Sequence, residues 1–358
     1  MIAFIERSYE VHFHTPAFLG NAEQKAQWRT PPIKALLREW WRIRVARQFD
    51  YDAAKIRAEE KRIFGSAADA NSSQRSRVQL RLSPWDIDDF DAKQQIDSTR
   101  ILSGKFNVSV GTYLAYGPIL AKQNGASRCS LRPESKASHR LDIRLQPDGL
   151  GRDPEEVIDW IEDTIALAHR FGAIGSRARN GWGSISIVPS NGSDGRPVKW
   201  DEVQRPFSDC MKDNWPHAIG KDEDGPLIWI TEKEHPDWKN ALKELALARQ
   251  GINRYGIETP VLPGRGGVLV RHLLSYPVTK HEKTGWTNQQ RLPSQLRCKV
   301  IRQSNGKYKG LLFHMPALCA LDFPLNGTAQ AAIWRNVHLK IQENNDFRRL
   351  SSDEIKEL

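Results

Sequence analysis

Apolar and polar positions alternate near the start of the chain, where Tyr9, Val11 and Phe13 fall between Glu10, His12 and His14. A period of two predicts a strand with one buried face. After the loop-like run 15–30, TPAFLGNAEQKAQWRT, the period changes. Ile33, Leu36, Leu37 and Trp40 take the i, i+3, i+4, i+7 spacing of a helix with a packed stripe. Thr30 is its expected N-cap, and Pro31 sits in its first turn. Lys34, Arg38 and Arg42 recur every fourth residue as a separate basic stripe. Strands are predicted over 78–82, 105–113 and 139–145, the last with Leu141, Ile143 and Leu145 facing one way. Asp153-Pro154-Glu155-Glu156 predicts a helix start, with Asp153 as N-cap, Pro154 first and Glu156 closing a capping box. Ile158, Ile161, Ile165 and Ala168 form its buried face, and Gly172 is the expected left-handed residue past its end. A strand over 184–188 follows. Strand, helix, strands, helix, strand is the βαββαβ order of a ferredoxin-like fold, with both helices on one sheet face. An insertion is expected at about 49–137.

Residues 189–196, PSNGSDGR, have the composition of a linker and divide the chain into expected domains at 1–190 and 197–358. The second half is less regular. A strand is predicted over 227–231, a helix over 238–249 and a closing helix over 329–342. Strands over 296–303 and 309–314 flank Asn305-Gly306, a hairpin signal. The expected fold is α+β, with two tandem ferredoxin-like domains of which the second is a degenerate copy.

Composition adds a partner class. The 358 residues hold 53 Lys and Arg against 43 Asp and Glu, a net charge of +10, which points to a polyanion. Twelve tryptophans are candidate stacking platforms wherever they stand beside arginines. Cys129, Cys210, Cys298 and Cys319 form no Cys-x-x-Cys pair and give no disulfide framework, which suits a reducing cytoplasm. No stretch approaches the apolar length of a membrane span, so neither a membrane partner nor secretion is expected. No His, Cys, Asp or Glu cluster has metal-ligand spacing, so no metal or other cofactor is expected.

The charge collects in three places. Between Lys25 and Arg47 seven basic residues accompany one acid, Glu39. Residues 172–183, GAIGSRARNGWG, set Arg177, Arg179 and Asn180 among four glycines, Gly172, Gly175, Gly181 and Gly183. Such a loop can turn backbone N–H groups and two planar guanidinium forks toward phosphate. It lies after a helix and before a strand, the reverse of a Walker or dinucleotide loop. The second half adds Arg265, Arg271, Arg291, Arg297, Lys299, Arg302, Lys307 and Lys309, and 289–309 holds six basic residues with no acid. An exposed hairpin of that kind fits contacts to a nucleic-acid backbone. If helix and loop converge, Lys34, Arg38, Arg177 and Arg179 line one surface.

Three stretches resemble the RAMP family, nearest to the first subunit of the Cmr, type III-B, CRISPR effector complex. They are TPAFLGNAEQKAQWRTPPIKALLREWWR, IGSRARNGWGSISI and RLPSQLRCKVIRQSNGKYKGLLFHMP. The resemblance covers Ile33, Lys34, Arg38, Trp40 and Trp41 in the helix, and Gly175, Arg177, Gly181 and Gly183 in the loop. The second half has no matching glycine-rich loop after its last helix. What the resemblance implies is tandem RAMP domains, a place near the 3′ end of a guide RNA, target RNA nearby and neighbouring RAMP subunits. The RNA-contacting set expected on both grounds is Trp28, Arg29, Lys34, Arg38, Trp41, Arg42, Gly175, Arg177, Arg179, Asn180, Gly181, Trp182, Gly183, Arg265, Arg291 and Arg297. The alternative is a metal-independent endoribonuclease that processes repeat RNA, with His12 and His14 as acid and base and His272 and His281 as further candidates. The family reading favours a non-catalytic subunit, because target cleavage in these complexes belongs to another subunit.

Overall fold

A computed structural model describes residues 4–23, 25–69, 72–84, 89–95, 100–103, 106–119, 128–134, 139–259, 269–276, 291–319 and 325–358. In the first half, strands β1 (Ile5–Phe13), β2 (Val78–Ser83), β3 (His139–Leu145) and β4 (Ile185–Pro189) form one sheet in the order β4-β1-β3-β2. Every neighbouring pair is antiparallel, with Val11 opposite Ile187 on one side and His139 on the other. Helices α1 (Thr30–Val45) and α4 (Pro154–Phe171) pack against each other over this sheet. Two further helices, α2 (Ala53–Phe64) and α3 (Val110–Ala115), belong to the intervening chain.

Local chemistry sets the ends. Asp153 caps α4 by accepting from the Glu155 N–H at 3.0 Å, with Pro154 in the first turn. Glu156 lies 3.5 Å from Arg152. Thr30 is the first helical residue of α1; Arg29 holds the cap position and makes no side-chain cap bond. Gly172 is extended, at φ −73°, and not left-handed. It is required for a different reason, since a Cβ there would stand 2.3 Å from the Ala168 carbonyl oxygen. The strand expected over 105–113 is Phe106–Ser109 only. Ser109 accepts from the Thr112 N–H at 3.2 Å and starts α3, so a hydroxyl cap overrides the β-rich composition.

The second half holds β5 (Ile228–Thr231), α5 (Trp238–Glu258), α6 (Val270–Leu274), β6 (Leu296–Arg302), β7 (Tyr308–His314), α7 (Gly327–Gln342) and β8 (Phe347–Arg349). Its sheet order is β6-β7-β5-β8, all antiparallel. Read from the other edge this is the order of the first sheet. The second copy is therefore complete in topology, although its last strand has three residues. Asn305-Gly306 makes the predicted turn, with Gly306 at φ +82° and its N–H bonded to Gln303.

The apolar interior crosses between the halves. Trp40 stacks on Phe171 at 5.8 Å, and Phe171 meets Phe313 of β7 at 5.0 Å. Trp182, from the glycine–arginine loop, packs on Trp238 of α5 at 6.1 Å. The expected linker is pinned at Arg196, whose guanidinium reaches Asp159, Glu162 and Asp163 of α4. Among the described residues no helix is long and apolar enough to cross a membrane.

Candidate nucleic-acid interface

The glycine–arginine loop lies between α4 and β4 and is joined by its backbone to the second half. The Cys298 N–H of β6 donates to the Arg179 carbonyl at 2.9 Å, and the Val300 N–H donates to Ser184 Oγ at 2.9 Å. A Cβ on Gly181 would stand 3.0 Å from Leu242 of α5, and one on Gly183 would stand 1.9 Å from the Ile174 carbonyl oxygen. The Gly183 N–H bonds Pro16 at 2.9 Å, and the Gly181 N–H bonds Ala178 at 3.3 Å. Gly181 and Gly183 therefore serve a close joint and not a phosphate cradle, because their donors are already used.

What the loop leaves open is Arg177. Its backbone sits at φ +63°, a left-handed conformation uncommon for a side-chain-bearing residue, and its side chain is exposed. It faces a cleft of about 1250 Å³ between the halves, walled by Glu39 of α1, Tyr113 and Tyr116 around α3, and Gly175, Arg177, Arg179 and Asn180 of the loop. The opposite wall carries Arg249, Asn253 and Arg254 of α5, Arg271 of α6, and Arg291. Two smaller hollows extend it. One of about 290 Å³ shares Pro32 and Gly175 with the cleft and adds Arg29 and Arg128. The other, about 100 Å³, shares Arg179 and Arg291. Together they form a cationic track across the joint.

The arginines divide by what they bind. Arg249 donates to Ser294 Oγ at 3.2 Å and to the Leu296 carbonyl at 3.0 Å, so it is structural. Glu39 holds Arg297 at 2.7 Å and Arg179 at 3.7 Å. Burial alone would raise the Glu39 carboxyl, but the two guanidinium groups outweigh it and hold its pKa below the usual value. The side chains of Arg177, Arg254 and Arg271 make no hydrogen bond or ion pair among the described residues. Burial pushes the Arg177 and Arg271 pKa values down, partly offset by Tyr116 and Tyr113 respectively. A half-desolvated arginine without a counter-ion stays charged and favours an anion.

Several expected contacts lie elsewhere. Trp28, Trp41 and Trp182 are wholly buried, Trp28 against Phe13 and Trp41 against Trp160 and Phe64, so none offers a face for a base. Arg38 and Arg42 both bind the buried Glu60, at 2.6 and 2.5 Å, on the side of α1 that meets α2. Lys34 lines a separate hollow with Thr30, Arg75 and Val78. The basic stripe of α1 and the loop arginines therefore do not form one surface; Pro32, Ala35, Leu36 and Glu39 are the α1 residues facing the cleft. Arg265 and His281 lie outside the described residues.

The basic hairpin is half interior. Arg297, Lys299 and Lys309 are buried, whereas Arg291, Arg302 and Lys307 are exposed. Lys299 donates to the His169 carbonyl at 2.5 Å and the Ile185 carbonyl at 2.8 Å, and its pKa falls well below the usual value through burial, with Arg170 adding to the effect. The histidine pair is not assembled. His12 is exposed, but His14 is buried and pushed down to about 3 by burial, then by Lys299. His272 is 2% exposed and accepts from the Leu269 N–H. Reading the sequence missed Arg254 and Tyr116. Arg249, Gln250, Asn253 and Arg254 repeat a polar pair at helical spacing, a signal that was available.

Two antiparallel four-stranded ferredoxin-like units joined edge to edge, with a basic track over the joint, define a class of tandem α+β protein. Residues 10–186 match the RAMP superfamily model. The structure is similar to that of Cmr1 from Pyrococcus furiosus in its apo form, at 16% identity and a TM-score of 0.50, over 96% of this chain and 98% of that one. It is also similar to a chain of the type III-B Cmr-beta complex bound to cognate target RNA and AMPPnP, at 12% identity and a TM-score of 0.48, over 94% of this chain and 98% of that one. No curated protein matches.

Proposed function

We propose that this chain is a non-catalytic, RNA-binding subunit of a type III-B CRISPR (Cmr) ribonucleoprotein in the cytoplasm. It would hold guide RNA near its 3′ end, with paired target RNA and other RAMP subunits as neighbours. The observation that carries the reading is the track, where the side chains of Arg177, Arg254 and Arg271 make no ion pair among the described residues, while the two acids lining the same cleft are Glu39, already held by Arg297, and Glu258. A linear polyanion supplies the missing charge at successive phosphates. The RAMP match and the fold shared with Cmr1 along nearly the whole chain support the same assignment. The separation of His14 from solvent supports a binding role over acid–base cleavage.

The test is a titration of end-labelled guide RNA with purified protein in EDTA at two salt concentrations. Wild type binds, binding weakens with salt, and the RNA stays intact. A variant lacking all three unpartnered arginines, Arg177→Ala/Arg254→Ala/Arg271→Ala, loses affinity, and its salt slope falls by about 2, from about 0.7 per phosphate released on a single strand. Absence of salt-sensitive binding overturns the RNA reading. Discrete cleavage in EDTA that His12→Ala abolishes replaces it with the endoribonuclease.

A further inference from the structure

We infer that the cleft selects an unpaired RNA segment, one base of which stacks on Tyr116; this rests on the RNA reading above. Among the described residues no tryptophan is exposed; Trp215 is half-buried and the others are buried. Tyr116 is 50% exposed and stands in the cleft wall. Among the described residues the other exposed aromatic ring is Phe4, which does not line the cleft and is covered by the Arg144 guanidinium at 4.9 Å.

Tyr116 is held on a fixed base. It follows α3 directly, and the Leu114 carbonyl two residues earlier accepts from Asn180 Nδ2 of the loop at 2.9 Å. The neighbouring Tyr113 hydroxyl is bonded to Asn253 Nδ2 of α5 at 2.5 Å. Both halves of the molecule therefore orient the turn that presents the ring. Next to it stands Arg177, close enough for the two side chains to interact electrostatically. An aromatic face beside unpartnered guanidinium groups provides for a base and its flanking phosphates together. In a duplex the base faces are already stacked on one another, so a ring of this kind distinguishes unpaired from paired RNA.

The experiment uses the full chain and a labelled, unstructured oligoribonucleotide carrying one 2-aminopurine, alone or annealed to its complement. Wild type prefers the single strand, and 2-aminopurine fluorescence is quenched on binding. Tyr116→Ala weakens single-strand binding by about fivefold or more, the lower end of a stacking contribution, and abolishes the quench. Its salt slope is unchanged, because no phosphate contact is lost. Tyr116→Trp restores both affinity and quench, which separates stacking from a structural role. Equal binding of duplex and single strand, or wild-type affinity and quench in Tyr116→Ala, overturns this inference. In that event the arginine variants still lose affinity and the RNA reading stands. Failure of every RNA to bind wild type overturns both.

Discussion

Gly183 shows how a residue can carry a legible signal with a different meaning. A glycine run among arginines reads as a phosphate loop, because positive φ and open amides go together in such loops. Here the positive φ is present, at +64°, but the space is occupied by the Ile174 carbonyl oxygen. Gly183→Ala therefore forces both a left-handed alanine and a backbone clash. We expect a loss of about 2 kcal/mol or more, read as a lower urea midpoint with unchanged slope. Arg177, by contrast, leaves its side chain exposed in the cleft wall. The difference lies in what the loop folds against: the Pro16 carbonyl takes the Gly183 N–H, and Leu242 of α5 stands against Gly181. Trp41 makes the same point from its own side. A tryptophan beside a basic stripe suggests stacking, yet α1 needs a wide apolar face to lie between α2 and α4, and Trp41 is in it.

At the level of elements, periodicity located α1, α4, β1 and β3 because each has one buried and one open face. It located β6 and β7 as strands of a hairpin but not their burial, because their sheet is covered on both sides and Arg297, Lys299 and Lys309 find partners indoors. Arg38 and Arg42 also read as free because their shared acid, Glu60, comes from another helix. Lys299 is the sharpest case, a lysine in the middle of β6 that ties the end of α4 and the start of β4 to the second half. Lys299→Met keeps the aliphatic stem and removes the donors, leaving two buried carbonyls unpaired. We expect it to destabilise the protein by about 2–4 kcal/mol, without altering the salt slope of RNA binding. Limited proteolysis that now cuts between the halves would locate the damage at this joint.

For the whole molecule, the buried histidines set an acid limit. Burial holds His14 and His338 at about 3 and His169 at about 4, against an ordinary value of 6.5. The folded chain keeps these rings neutral, whereas the unfolded chain takes up protons as pH falls through about 6.5. Stability is therefore full above about pH 7 and declines as pH drops toward about 4, by up to about 1.4 kcal/mol per pH unit for each ring. Urea midpoints at about pH 7.5 and about pH 5 measure the decline. A flat profile would show that other groups compensate. The joint between the halves has a further consequence, in time. Ser184 Oγ waits for the Val300 N–H, 116 residues downstream. At synthesis rates of about 5–20 residues per second, that interval is roughly 6–23 s. Trp238 of α5 reaches Trp182 about halfway through that interval, but the joint stays open until β6 emerges, and we expect ribosome-bound chains of that length to be the ones a chaperone captures.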